Sequence, residues 1–352
     1  MAFTTLTMAT DTQIFLQDDD PSAVSRKQDH IVLAFQSQIK ETDARFYYEP
    51  LLSAHPNNKT FSSFSFLGKT QRVPLWVSSM TGGTGMAGRI NHNLAQACKD
   101  FGFGMGLGSC RSLLHSDDHL QDFNVRSIMG NDLPLFANLG VAQLEQLIDN
   151  QEYDIIKRMI DKLHADGLII HVNPMQEWLQ PEGDRFRRPP IQTIETILEH
   201  LDMPIIVKEV GQGFGKESLR ALLQLPIAAL DFAAAGGTNF AKLELLRSDT
   251  EKQSIFNELA YVGHTAAEMV DFTNQLLLEL GDKVRCHEVI ISGGIQSFLD
   301  GHYLTEKLNM SAVYGQASSF LKYAQGDYSN LYDYIQAQVD GLACAKTFLR
   351  IR

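Results

Sequence analysis

From Pro74 onward the chain alternates short apolar runs, each closed by small or polar residues, with stretches of helical spacing. This is the pattern that repeated βα units produce, because a strand buried on both faces must be apolar throughout and its covering helix only along one stripe. The runs are Pro74–Ser79, Phe103–Ser109, Leu135–Asn138, Leu168–Asn173, Ile205–Glu209, Ala229–Ala233, Val289–Ser292 and Ala312–Gly315, eight in all. Eight parallel strands with helices between them predict an α/β protein of the (β/α)8 TIM-barrel class. The intervening stretches support helices. Thr265 followed by Glu268 matches a capping box, with Met269, Phe272, Leu276 and Leu280 continuing an apolar stripe. Leu331, Tyr334, Ile335, Val339 and Leu342 give the last segment the same spacing, so it should close the outer ring.

A chain of 352 residues is long enough for two domains, but barrels with insertions reach this size as one, and neither a repeat beyond the βα unit nor a low-complexity linker divides it. The expected organisation is a polar, acidic N-terminal extension over 1–24 and a single barrel domain over 25–352. Residues 45–70, with FYYEPLL and FSSFSFLGK, read as a strand pair capping the bottom of the barrel. With 44% hydrophobic and 20% charged residues the chain can bury a large core.

A net charge of −12 argues against nucleic acid and anionic membranes as partners, because binding to either requires a broad basic face. No apolar run approaches the ~18 residues of a membrane span, and the first residues lack a signal peptide's cationic front and apolar centre, so a cytoplasmic location is expected. Cys98, Cys110, Cys286 and Cys344 show neither metal spacing nor disulfide density and read as reduced thiols. A small-molecule substrate and a symmetric homo-oligomer are the expected partners.

In β/α barrels chemistry sits where the strands end. Here those positions hold Ser79–Met80–Thr81, Ser109, Asn138, His171 with Asn173, Lys208, Thr238, Ser292–Gly293–Gly294 and Gly315–Gln316–Ala317. Glycine turns after strands seven and eight let backbone N–H groups approach a phosphate, so Gly293, Gly294 and Ile295 with Gly315, Gln316 and Ala317 form a candidate cradle; the alternative is that they only make tight turns. Lys208 ends an apolar strand and needs an anionic partner, either a reduced flavin or a carboxylate such as Glu209. Ser79, Met80, Thr81, Ser109, Asn138 and Thr238 could surround a heterocycle without charge. The stretch HVNPMQEWLQPEGD is too polar for core: Glu177 could hold Mg²⁺ and Gln176 could orient a substrate or relay a proton, while a solvated loop is the plainer reading of Glu177 and Glu182. Arg26, Lys27 and His30 could clamp a diphosphate or simply begin a solvated helix, and Arg111 is a further cation. Neighbouring Cys110 lacks a positioned base and reads as a buried thiol.

Taken in order, RKQDH, SSMTGGTG, GLGSCRS, FANLG, HVNPMQEWLQPEGD, VKEVGQG, AAAGGTNFAKLE and SGGI resemble the FMN-dependent type 2 isopentenyl diphosphate isomerases over almost the whole chain. The resemblance implies a flavin-binding β/α barrel that interconverts isopentenyl and dimethylallyl diphosphates with FMN, Mg²⁺ and NADPH as reductant. It assigns FMN contacts to Ser79, Met80, Thr81, Ser109, Asn138, Lys208, Thr238, Gly293–Ile295 and Gly315–Ala317. Substrate falls to Arg26, Lys27, His30, Ser109, Arg111, His171, Asn173 and Gln176, metal to Glu177, and a proton-shuttle role to Gln176 with Glu244. Gln296 and Asn239–Phe240 depart from the family pattern of Arg after SGGI and Trp after GGTS, so the phosphate turn lacks a cationic side chain. Two rival readings use the same fold: a flavin oxidoreductase of the hydroxy-acid oxidase or dihydroorotate dehydrogenase type, and a noncatalytic flavin-binding barrel.

Overall fold

Each of the eight apolar runs forms a strand in the computed structural model, which describes residues 23–57, 61–79 and 85–352. The strands are β1 (Leu75–Val77), β2 (Gly104–Gly106), β3 (Leu135–Gly140), β4 (Gly167–His171), β5 (Ile205–Lys208), β6 (Ala229–Asp231), β7 (Glu288–Ser292) and β8 (Ser311–Gln316). All pair in parallel, and β8 returns to β1 through Tyr314↔Leu75 and Gln316↔Val77, closing the barrel. The α/β barrel read from the sequence is therefore the fold of this chain.

The chain divides into two units, residues 1–44 and 45–352. In the first, a helix spans Ala23–Leu33. The second carries the barrel. No helix of the described residues is long and apolar enough to cross a membrane.

Side chains alternate in and out along each strand. The inward set of the lower barrel is Trp76, Phe136, Ile169, Ile206, Ala229, Ile290 and Val313, all buried and packed as one cluster. Gly104 makes room for the indole: a Cβ there would lie 2.2 Å from the Trp76 ring. The outward set packs beneath the helices. Among these, Ala266–Leu280 starts with the expected capping box, the Thr265 hydroxyl accepting from the Glu268 N–H and the Glu268 carboxylate from the Thr265 N–H. Met269 and Leu276 on its stripe are fully buried, as are Leu331 and Ile335 of the closing helix Tyr328–Phe348.

The expected strand pair over 45–70 is corrected. Phe46–Tyr48 pairs antiparallel with Leu349–Ile351, and Phe64–Phe66 pairs with Lys69–Gln71. The hairpin forms because Leu67 and Gly68 both take positive φ (53° and 71°), the geometry of a two-residue turn whose twist matches antiparallel strands. This hairpin does close the lower mouth. Phe66 joins the inner cluster, and the Leu67 N–H donates to the Glu288 carboxylate at the foot of β7 at 2.7 Å. Removing that ring should leave a cavity in the barrel floor. Phe66→Ala should cost about 3–5 kcal/mol, read as a lower urea midpoint with unchanged slope; an unmoved midpoint would show that the hairpin is dispensable.

Candidate active site

Above the apolar floor the inward residues turn polar. Gly140, His171, Lys208 and Asp231 stand level on β3 to β6, each paired in register with the next. Over β5 to β8 opens a cavity of about 470 Å³, lined by Ser78, Ser79, Lys208, Thr238 and the turns after β6, β7 and β8. Its floor is glycine for a steric reason. Gly293 and Gly294 take φ of 87° and 73°, and a Cβ on Gly293 would lie 2.1 Å from the Ala234 carbonyl oxygen. Gly315 is equally confined, its absent Cβ falling 2.4 Å from the Ser78 hydroxyl. The Ser78 and Ser79 hydroxyls and the Gln316 amide nitrogen are buried without a partner among the described residues. Buried polar groups are normally satisfied, so these orphans mark a place for a polar ligand.

Of the residues expected to meet a cofactor, Ser79, Lys208, Thr238, Gly293, Gly294, Ile295, Gly315, Gln316 and Ala317 line this cavity. Asn138 instead lies buried beside it, its amide donating to the Leu107 carbonyl at 3.0 Å. Ser109 is exposed on the loop after β2. Met80 and Thr81 lie outside the described residues.

Lys208 is not paired with the Glu209 carboxylate. Its ammonium donates to the Glu209 carbonyl oxygen at 2.7 Å, while the Glu209 carboxylate turns to the N–H groups of Gly211, Gln212 and Gly213. Burial pushes the Glu209 carboxyl up, and those N–H groups oppose it. Asp231, fully buried on the next strand, stands level with Lys208, whose charge acts on both the Asp231 and the Glu209 carboxyls against their burial.

His171 binds the Asn138 amide oxygen through Nδ1 at 2.7 Å. Burial, and then the Lys208 charge, push its pKa down from 6.5 to about 4. Because the Asn138 amide nitrogen is already committed as a donor, the neutral ring carries its proton on Nδ1 and keeps Nε2 as an acceptor. Cys110 is a buried thiol pushed up to about 12 by burial, which excludes a ready thiolate.

The second polar region is a hydrogen-bonded chain of residues from the loops and helices that follow the strands. The Asn173 amide donates to Gln176 Oε1 at 3.1 Å and to Glu177 Oε1 at 2.9 Å. Gln176 Nε2 faces Glu244 Oε1 at 3.4 Å, and Glu244 is buried against Arg247 at 2.6 Å. Glu177 Oε2 accepts the Asp184 N–H at 2.7 Å, and Asp184 in turn holds Arg111 at 3.3 Å and the Gln143 amide at 3.0 Å. Glu177 is thus no solvated loop residue, whereas Glu182 is exposed and paired with Arg247. No group of three or more His, Cys, Asp or Glu side chains that could hold a metal occurs among the described residues. A cation at Glu177 would take one carboxylate from this chain and the rest of its oxygens from water and substrate, as Mg²⁺ commonly does.

Arg26, Lys27 and His30 lie on the helix Ala23–Leu33 in the first unit, all exposed and within one turn of each other. Sequence reasoning passed over Ser78, Asp231, Asp184 and the Gly236–Gly237 turn. The doubled glycine in AAAGG, a lone carboxylate ending the apolar run ALD and the place of Asp184 at the end of the polar stretch HVNPMQEWLQPEGD were the available signals.

The depressed histidine pKa has a directional consequence. The unfolded chain takes up its proton first, so stability is untouched above about pH 6.5 and declines as the pH falls from 6.5 toward 4. In ligand-free protein the His171 ring should titrate near pH 4 by NMR; a midpoint near 6.5 would contradict the buried environment described.

No family model matches the chain. An isopentenyl-diphosphate delta-isomerase of Rickettsia typhi is 33% identical over 333 residues, covering 92% of this chain and 93% of the relative. Its counterpart from Rickettsia prowazekii is 33% identical over 327 residues, covering 91% of each. Among solved structures, a flavocytochrome b2 variant with pyruvate bound superposes with a TM-score of 0.57 at 15% identity, over 85% of this chain and 71% of that one. A mandelate oxidase variant with a monooxide FMN adduct gives 0.53 at 13% identity, over 94% and 99%. At such identities these likenesses show the fold alone, whereas the sequence relatives show more: the chain belongs to the isopentenyl-diphosphate delta-isomerase family.

Proposed function

We propose that the protein interconverts isopentenyl and dimethylallyl diphosphates as an FMN-dependent, type 2 enzyme, using Mg²⁺ and a flavin reduced by NADPH, in the cytoplasm. The observation that carries this reading is the Gln176 carboxamide, held between Asn173 and Glu244 at the end of the barrel where the glycine-floored cavity opens. The reaction moves a double bond by adding a proton at one carbon and removing one at another, so a positioned amide–carboxylate relay suits it better than a redox centre.

The residues present fit a phosphorylated flavin. The Gly293–Ile295 and Gly315–Ala317 turns would hold its phosphate, and Ser79 and Thr238, which line the same cavity, its uncharged edges, with Lys208 beside the ring. Reduced FMN, when bound, supplies an electron-rich face against the positive charge that alkene protonation develops. The chain's own contribution is to hold the other partners. Arg111, Ser109, His171 and Asn173 would take the diphosphate, with Glu177 on the magnesium ion, so that binding energy orients the small apolar tail. Gln176 would pass a proton to or from Glu244, whose second oxygen is held by Arg247. His171 in its neutral form offers a diphosphate only a lone pair at Nε2; binding the anion should therefore raise its pKa and draw a proton onto the ring.

Gln176→Ala should lower turnover by about 10²–10⁴-fold while flavin binding is retained; loss of flavin instead would show that the residue serves the cofactor. Glu177→Gln should shift the Mg²⁺ titration to higher concentration, and an unchanged titration would remove the metal role. The deciding experiment is an anaerobic assay of FMN-loaded protein with NADPH, Mg²⁺ and isopentenyl diphosphate. Dimethylallyl diphosphate should form without stoichiometric NADPH use. Net oxidation of a hydroxy acid would favour the oxidoreductase reading, and yellow protein without turnover the noncatalytic one.

A further inference from the structure

Behind Lys208 the barrel buries a carboxylate for which the isomerisation as described has no task. Asp231, completely shielded at the end of β6, stands level with Lys208 of β5. One of its oxygens is held by the Ser292 hydroxyl, which also accepts the Ala233 N–H at 3.0 Å. The other, Oδ2, has no hydrogen-bond partner. A buried carboxylate with an unsatisfied oxygen is costly unless an opposite charge lies near. Lys208 is that charge, but its ammonium is directed to the Glu209 carbonyl oxygen and lines the cavity, rather than meeting Asp231 directly. Burial pushes the Asp231 carboxyl up, and the Lys208 charge, acting through the weakly screened interior, works with the Ser292 hydrogen bond against that rise to favour the ionised form.

We propose that Asp231 is a positioning residue whose buried negative charge balances Lys208 and so limits how strongly the cavity favours an anionic flavin over a neutral one. The inference rests on the reading of the cavity as a flavin site. Its logic is electrostatic: a lone ammonium beside the ring would favour the reduced, anionic cofactor, and a fixed carboxylate one strand behind it withdraws part of that preference. Ser292, which also lines the cavity, ties the orientation of the carboxylate to the turn that carries Gly293 and Gly294.

The test is the midpoint potential of FMN in the full-length protein, with the dissociation constant of oxidised FMN measured alongside. Asp231→Asn keeps the shape and removes the charge. The potential should rise, with reduced flavin gaining roughly tenfold over oxidised in relative affinity, about 30 mV for a two-electron couple. Asp231→Glu, which restores the charge, should return the potential toward that of the unsubstituted protein. Where the Asn variant does not accumulate, the smaller Asp231→Ser makes the same charge change. A folded neutral variant with an unmoved potential overturns the proposal, because a purely structural aspartate would alter stability alone. If the unsubstituted protein takes up no FMN, the reading of the cavity fails; if it takes up FMN and only the potential fails to respond, this inference alone is lost.

Discussion

The interior of an eight-stranded barrel is just wide enough for side chains to fill, so its inward positions must be apportioned between packing and chemistry. Here the apportionment is by height. Trp76, Phe136, Ile169, Ile206, Ile290 and Val313 fill the lower column, and Phe66 seals it from below. That dry floor removes solvent from the row above, where His171, Lys208 and Asp231 stand on consecutive strands. The depression of the His171 pKa, the raised Asp231 pKa and the need for Lys208 to find charge compensation all follow from this desolvation. A wetter floor would leave His171 and Asp231 nearer their ordinary titration ranges.

Around that row the site has two differently built parts. The cavity over β5 to β8 is made of absences: glycines whose Cβ atoms would strike neighbouring backbone, and hydroxyls left without partners. It suits a ligand that is gripped by backbone and small polar groups. The network from Arg111 through Asp184, Glu177, Asn173 and Gln176 to Glu244 and Arg247 is built of groups that satisfy one another across the connections following β2, β4 and β6. Such a network holds donors and acceptors in place before a substrate arrives, which lowers the cost of organising them during reaction.

The eight strands were legible because each is a short, doubly buried apolar run, and burial on both faces leaves a continuous signal in the order of residues. Strand-end positions follow from the same count, so Lys208, His171 and the Gly293–Gly294 turn are legible in the order of residues alone. Phe46–Tyr48 could not be matched with Leu349–Ile351, since pairing across some 300 positions leaves no local trace. Asp231 was passed over because a single acid at a strand end looks like any turn residue until its neighbour in register is known to be a buried lysine.

By itself, then, the order of residues determined the period of the fold, the ends of its strands and the types of side chain placed there, all of which are encoded within a few positions along the chain. Tertiary structure alone decided which partner each of those side chains has: that Glu209 turns to backbone N–H groups, that Lys208 comes to stand level with the buried Asp231, and that Glu244 lies against Gln176. The physical reason is that charge and hydrogen bonding act over a few ångströms of space, and closing a barrel brings together residues far apart in the chain.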